Sequence, residues 1–83
     1  MLDKPSMANP SKNRRSASLA DKFAANLKSE RLRRKLSQET LAGKAGLSIS
    51  YISMLERGQR TPPLETLEVL AKALAVNPLN LLG

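Results

Sequence analysis

The chain has no cysteine, no histidine and no tryptophan, and only one tyrosine and one phenylalanine among its 83 residues. Each absence removes a class of function. Without cysteine there is neither a disulfide framework nor thiol chemistry. Without cysteine or histidine there is no zinc site of the usual kind, and no metal or other cofactor is expected. Without histidine the commonest general base at neutral pH is missing. Serine, lysine and carboxylates remain, and no spacing in the chain arranges them for catalysis, so an enzyme is not expected. No apolar run approaches the about 18 residues of a membrane span, and residues 1–19 lack the apolar stretch of a signal peptide. A cytoplasmic, nucleoid-associated protein with no membrane partner follows from that reading.

What is present is positive charge. Lys and Arg total 14 against 7 Asp and Glu, a formal charge of +7. That excess suggests a polyanionic partner, but alone it fits nucleic acid, anionic lipid and a merely soluble surface equally well. The hydrophobic fraction of 41% supports a small core. A domain of this size buries only about 60% of its unfolded-chain surface, which leaves no room for an enzyme-sized cleft as well as a core, and no small-molecule ligand is expected.

The chain divides near Ser18. Residues 1–18 carry Lys4, Lys12, Arg14 and Arg15 against Asp3, with Pro5 and Pro10 and few large apolar residues. The composition predicts a disordered basic arm, either a solvated tail or a segment lying along phosphates. Met7 is an alternative start to Met1. Residues 19–83 form the expected folded domain.

No useful stretch alternates polar and apolar residues with period two, and helical signals recur instead. Ser18 and Asp21 make a capping-box-like start, and Leu19, Phe23 and Leu27 follow at four-residue spacing, predicting a first helix to about Lys35. Ser37 caps a second helix, stapled by Leu36 and Leu41 and closed at Gly46. Ser48 caps a third, stapled by Leu47 and Ile52 and closed at Gly58. Pro62 and Pro63 suit the first turn of a fourth helix with the stripe Leu64, Leu67, Leu70, Ala71 and Leu74. Asn77 and Pro78 open a last short helix with Leu79, Leu81 and Leu82. The expected fold is all-α, a compact five-helix bundle with a flexible N-terminal arm.

The segment Gln38 to Arg57 has the organisation of a helix-turn-helix. Two helices are joined by a short turn with Gly46, Ala42 is small where they cross, and Leu41, Ala45, Leu47, Ile52 and Leu55 are apolar at the inward positions. At 100° per residue, with Ile49 at 0°, Ser53 falls at about 40°, Arg57 at about 80°, Ser50 at about 100° and Met54 at about 140°. Tyr51, Ile52 and Leu55 fall on the opposite, packing face. The outward face of the third helix is therefore Ile49, Ser50, Ser53, Met54 and Arg57, with Ser48 at its start, and these are the expected base contacts. Arg57 is the one guanidinium among them, and no Asn or Gln is present to read adenine. Ile49 and Met54 suit thymine methyls, so the preference should lean on methyl contacts and DNA shape. Tyr51 falls near the core edge, which favours packing over base stacking.

Residues 23–82 resemble the lambda-repressor-like helix-turn-helix family, of the Cro/repressor or Xre type. The resemblance rests on Arg31, the run Leu36 to Ala42, Ala45 to Ser48, Tyr51 to Ser53, Leu55 to Gly58, Arg60, Pro62, and Leu70 to Leu74. It implies a five-helix bundle that binds operator DNA as a two-fold dimer. It implies a salt bridge between Arg31 and Glu56, and it supports a phosphate contact for Gln38 at the start of the second helix, where free helix N–H groups also point. Arg33, Arg34, Lys35, Lys44 and Arg60 are further candidates for phosphate. Two departures from the family pattern are Pro63, where Ser or Thr often caps the fourth helix and Thr61 is the substitute, and Glu30, where an apolar residue is common.

Leu79, Leu81 and Leu82 lie in a segment too short to bury all three internally. They either finish the core or form an isologous homodimer interface, and a surplus apolar end on so small a domain favours the interface. The function expected is a sequence-specific regulator of transcription that binds double-stranded DNA as a dimer on a palindromic operator, of repressor or controller type. The alternative is an antitoxin or coactivator-like module that uses the same fold to bind protein. A phage, restriction–modification, antitoxin or chromosomal setting is left open.

Overall fold

The computed structural model describes residues 18–83. The expected arm over residues 1–18, and the choice between Met1 and Met7, lie outside the described residues except for Ser18. Four α-helices follow in order: α1 Leu19–Arg33, α2 Gln38–Ala45, α3 Ile49–Glu56 and α4 Leu64–Leu74, and then a 3₁₀ helix, Pro78–Leu81. Among the described residues there is no strand. The final segment is thus 3₁₀ rather than α-helical. Its bonds run from the Asn80 N–H to Asn77 O and from the Leu82 N–H to Leu79 O, three residues apart.

The serine caps form where the sequence puts them. Ser18 Oγ accepts from the Asp21 N–H and Asp21 Oδ2 accepts from the Ser18 N–H, completing the capping box of α1. Ser37 Oγ accepts from the Thr40 N–H and Ser48 Oγ from the Tyr51 N–H. Asn77 Oδ1 accepts from the Leu79 N–H at the entry to the 3₁₀ helix. The fourth helix differs from expectation. Pro63 stands outside it as the N-cap, with no side-chain cap bond, and Thr61 does not replace it.

All four α-helices end in one motif, a left-handed residue followed by an N–H that reaches back five residues. The left-handed residues are Lys35, Gly46, Gly58 and Ala75, with φ of 56°, 69°, 73° and 58°. The returning N–H groups are those of Leu36, Leu47, Gln59 and Val76, bonded to the carbonyls of Arg31, Ala42, Met54 and Ala71. This is the Schellman closure. It ends α1 at Arg33, two residues before the expected Lys35. Lys35 is the turn residue itself, and the lack of a glycine there conceals the stop.

The core gathers the inward residues of every element. Leu27, Leu41, Ile52, Leu55, Leu70, Leu74 and Leu81 are fully buried, with Phe23, Ala42, Leu67 and Ala71 beside them. Each fully buried Leu or Ile contributes roughly 1.5–3 kcal/mol relative to exposure. Two expected stripe members are outside. Leu19 is 60% and Leu64 76% exposed. Each opens its helix, so its side chain tilts toward the N-terminus, past the end of the bundle. Leu81 is the opposite case, buried where an interface was expected. The side-chain amide of Asn26 donates to Leu81 O at 3.1 Å and fastens the 3₁₀ helix onto α1.

Candidate nucleic-acid interface

The helix-turn-helix is built from α2 and α3, crossed at the buried Ala42 and joined through the left-handed Gly46. Ile52 and Leu55 anchor α3 in the core with no exposed surface. Tyr51 is half-buried and packs at the core edge, as its helical angle requires. That seating fixes which side of α3 faces out. Ser48, Ile49, Ser50 and Arg57 are exposed, and Ser53 and Met54 are half-buried at the margin of the same face. Of the six residues expected to read bases, Ile49, Ser50, Ser53 and Met54 therefore lie on one side of α3, and Ser48 and Arg57 cap its two ends. Ser48 Oγ is already used as an acceptor by the helix cap, which leaves its hydroxyl as a donor.

Arg57 is exposed but bonded back to its own chain. Its guanidinium folds back one turn to donate to Ser53 Oγ, and its other terminal nitrogen donates to Gln59 Oε1 at 3.3 Å. Gln59 was not among the sequence-derived site residues. The only signal for it is Gly58, whose left-handed backbone turns the chain back so that the Gln59 N–H meets Met54 O at 2.9 Å.

Behind this face lies the polar anchor. Arg31 Nε donates to Glu56 Oε2 at 2.6 Å and Arg31 Nη2 to Glu56 Oε1 at 3.0 Å, while Nη1 donates to Leu36 O at 2.8 Å. The side chains of Arg31 and Glu56 are only 9% and 3% exposed. The bidentate hydrogen bond to Glu56 raises the Arg31 pKa above its ordinary value, against the lowering effect of burial. Gln38 joins the pair, its Nε2 donating to Glu56 Oε1 at 3.1 Å. One of its two amide protons is thus held by Glu56, and the other remains for a ligand. Ser37 Oγ takes the Thr40 N–H, and the first amides of α2 have no partner within the helix.

The basic residues separate into two groups. Lys35, Lys44 and Arg60 are exposed. Arg34 is instead committed to Glu30 at 2.6 Å, and Arg33 approaches the same carboxylate at 3.5 Å. Glu30, Arg33 and Arg34 border a polar cleft with Asn77, Leu79 and Asn80, beside the C-terminal turn. Arg34, expected at a phosphate, is thus partnered within the fold while its side chain stays one-third exposed. The three leucines expected at a dimer interface also scatter. Leu81 is core, Leu82 is half-buried and lines an apolar hollow with Leu19 and Leu64, and Leu79 stands 70% exposed at the polar cleft. Among the described residues no group of three or more acidic side chains is placed to hold a metal ion, and no helix is long and apolar enough to cross a membrane.

Comparison with known proteins agrees with this geometry. The family described as Helix-turn-helix matches residues 27–81. An immunity repressor protein of Bacillus phage phi105 is 44% identical over 57 residues, 69% of this chain but 40% of the phage protein. The aligned segment thus spans less than half of that relative. The crystal structure of the restriction–modification controller protein C.AhdI from Aeromonas hydrophila is 44% identical, with a TM-score of 0.73 over 75% of this chain and 94% of that one. A tetramer of the controller protein C.Esp1396I in complex with its natural 35-base-pair operator is 33% identical, with a TM-score of 0.72 over 80% of this chain and 87% of that one.

Proposed function

We propose that this chain, which belongs to the helix-turn-helix family of the lambda-repressor-like, Xre type, is a regulator of transcription that binds double-stranded DNA sequence-specifically as a homodimer. The observation that carries the reading is the split of α3 into a fully buried side, Ile52 and Leu55, and an outward side of Ser48, Ile49, Ser50, Ser53, Met54 and Arg57. A helix held so firmly on one side presents its other side to the major groove as a rigid unit. Ile49 and Met54 meet thymine methyls, the serines add tolerant hydrogen bonds, and Arg57 supplies the one guanidinium suited to guanine.

Affinity comes from elsewhere. Gln38 with the free amides of α2, and exposed Lys35, Lys44 and Arg60, take phosphates and fix the register. The basic residues of the segment 1–18 add net positive charge to that attraction. Two copies related by a two-fold axis, joined around exposed Leu79, place their α3 helices in successive major grooves about 34 Å apart. A polar and apolar neighbourhood of this kind makes a modest interface, so dimerisation on DNA is expected to respond to protein concentration. The relatives named as an immunity repressor and as controller proteins support a repressor or controller role.

The test is selection of bound sequences from random duplex DNA by the full chain, followed by footprinting. Enrichment of a two-fold sequence protected over two half-sites one helical turn apart supports the reading. Equal retention of all sequences, with protection nowhere localised, overturns it.

A further inference from the structure

We propose that Gln59, which lies outside the recognition helix, sets base preference by holding Arg57 in a reading position. This rests on the DNA-binding function proposed above. A free arginine on a surface helix samples many rotamers, and ordering it on binding carries an entropic cost. Here the guanidinium is held at both terminal nitrogens. Ser53 Oγ, one turn earlier on α3, accepts from one, and Gln59 Oε1 accepts from the other.

Three features of the chain create this arrangement. Ser53 and Arg57 are four residues apart, so they stack on one side of the helix. Gly58 adopts φ of 73°, a left-handed conformation that glycine takes without strain. The Gln59 N–H then bonds to Met54 O, which fixes the backbone from which the Gln59 side chain reaches the guanidinium. The added tether lies on the helix's exit side, and Ser53 on its entry side. The guanidinium is therefore held between a residue of the outward face and one just past the end of the helix. Arginine has five N–H donors, and these two bonds use two, so a pair remains for the O6 and N7 acceptors of a guanine. Gln59 takes no part in that contact and acts through Arg57, as a positioning residue.

The experiment compares wild type, Arg57→Ala, Gln59→Ala, Gln59→Glu and Arg57→Ala/Gln59→Ala, all as the full chain. Binding is measured to the selected operator and to variants with each guanine replaced in turn, over a range of salt. Arg57→Ala identifies the base pair read by Arg57 as the one whose discrimination it abolishes. Gln59→Ala is expected to reduce discrimination at that pair alone by about three- to tenfold. The slope of affinity against salt should stay that of wild type, because no phosphate contact is lost. The Arg57→Ala background should show no further effect of Gln59→Ala. Gln59→Glu keeps an acceptor, so it should retain the discrimination while weakening binding to every sequence through its added negative charge.

A Gln59→Ala protein that binds all sequences equally more weakly, with a shallower salt slope, overturns the proposal in favour of a phosphate contact. An unchanged preference in Gln59→Ala overturns it as well. If the wild type selects no sequence at all, the function proposed above fails first and this inference with it. A wild type that selects while Gln59→Ala leaves selection intact sinks only the role of Gln59.

Discussion

Arg31 on α1 and Glu56 at the end of α3 meet as a two-pronged ion pair, with side chains 9% and 3% exposed. The pair ties the first helix to the recognition helix, and the same carboxylate holds Gln38 at the start of α2. Three helices, α1, α2 and α3, thus share one buried anion. Removing either partner strands a charge, so Glu56→Ala and Arg31→Ala should each lose roughly 3–5 kcal/mol. Denaturant unfolding measures this. Replacing both by apolar residues of similar volume, as in Arg31→Met/Glu56→Leu, should recover most of the loss. A single variant with an unchanged melting point would show that the pair is ornamental.

The same pair gives a statement about pH. Arg31 has a pKa raised in the fold, mainly by its hydrogen bond to Glu56. A raised folded pKa contributes stability that is fully present below the unfolded value and is lost only as pH rises through the folded one. For arginine that window lies far above neutrality. Arg31 should therefore contribute no pH dependence between about pH 6 and 9. Comparing unfolding of wild type and Arg31→Met/Glu56→Leu, which leaves no stranded carboxylate, across that range checks this: the difference should be flat.

Two helices end on residues that resist a left-handed backbone. At Ala75 a glycine would relieve the strain, and Ala75→Gly should raise stability by about 0.5–1 kcal/mol. The reverse change at Gly46 has open space around the added methyl but the wrong backbone, at φ of 69°. Gly46→Ala should lower stability by about 1 kcal/mol, for conformational reasons alone. Thermal melts of the two variants should move in opposite directions.

Leu79 and Leu81 divide the work of the C-terminal turn. Leu81 is fully buried, and Leu81→Ala should lose about 2–5 kcal/mol whatever the oligomeric state. Leu79 is 70% exposed, and Leu79→Asp should leave monomer stability within about 0.5 kcal/mol. Its effect should appear in sedimentation, as a dimer that dissociates at higher protein concentration.

Charge changes separate the basic residues. Lys35→Ala, Lys44→Ala and Arg60→Ala should each reduce the salt slope of DNA binding by about 0.9. Arg34→Ala should change that slope little, since its guanidinium is paired with Glu30. Binding isotherms on one operator over several salt concentrations decide between them.

Much of this fold was legible because its punctuation is local. Ser18 with Asp21, Ser37, Ser48, Gly46 and Gly58 act within three to five residues of themselves, and each does in the structure what its type predicts. The buried side of α3 followed from helical angle alone. What escaped depends on neighbours distant in sequence or on a strained backbone. Lys35 and Ala75 turn left-handed without the glycine that advertises it. Leu81 joins the core in a turn bonded to Asn26, far back on α1. Glu30, read only as a departure from the family pattern, pairs with Arg33 and Arg34, and the cleft they share with Asn77 and Leu79 exists only once the C-terminal turn packs beside α1. Gln59 escaped because its partner is reached only after the reversal at Gly58.

The central claim is that the outward face of α3 reads the major groove, with Ile49 at a thymine methyl. Replacing single thymines of the selected operator by uracil deletes one methyl and nothing else. Binding of wild type and Ile49→Ala to each such duplex measures the contact directly. One thymine per half-site is expected whose replacement weakens wild-type binding by about three- to tenfold and leaves Ile49→Ala binding unchanged. Equal losses in both proteins at every thymine, or no loss at any, would contradict it.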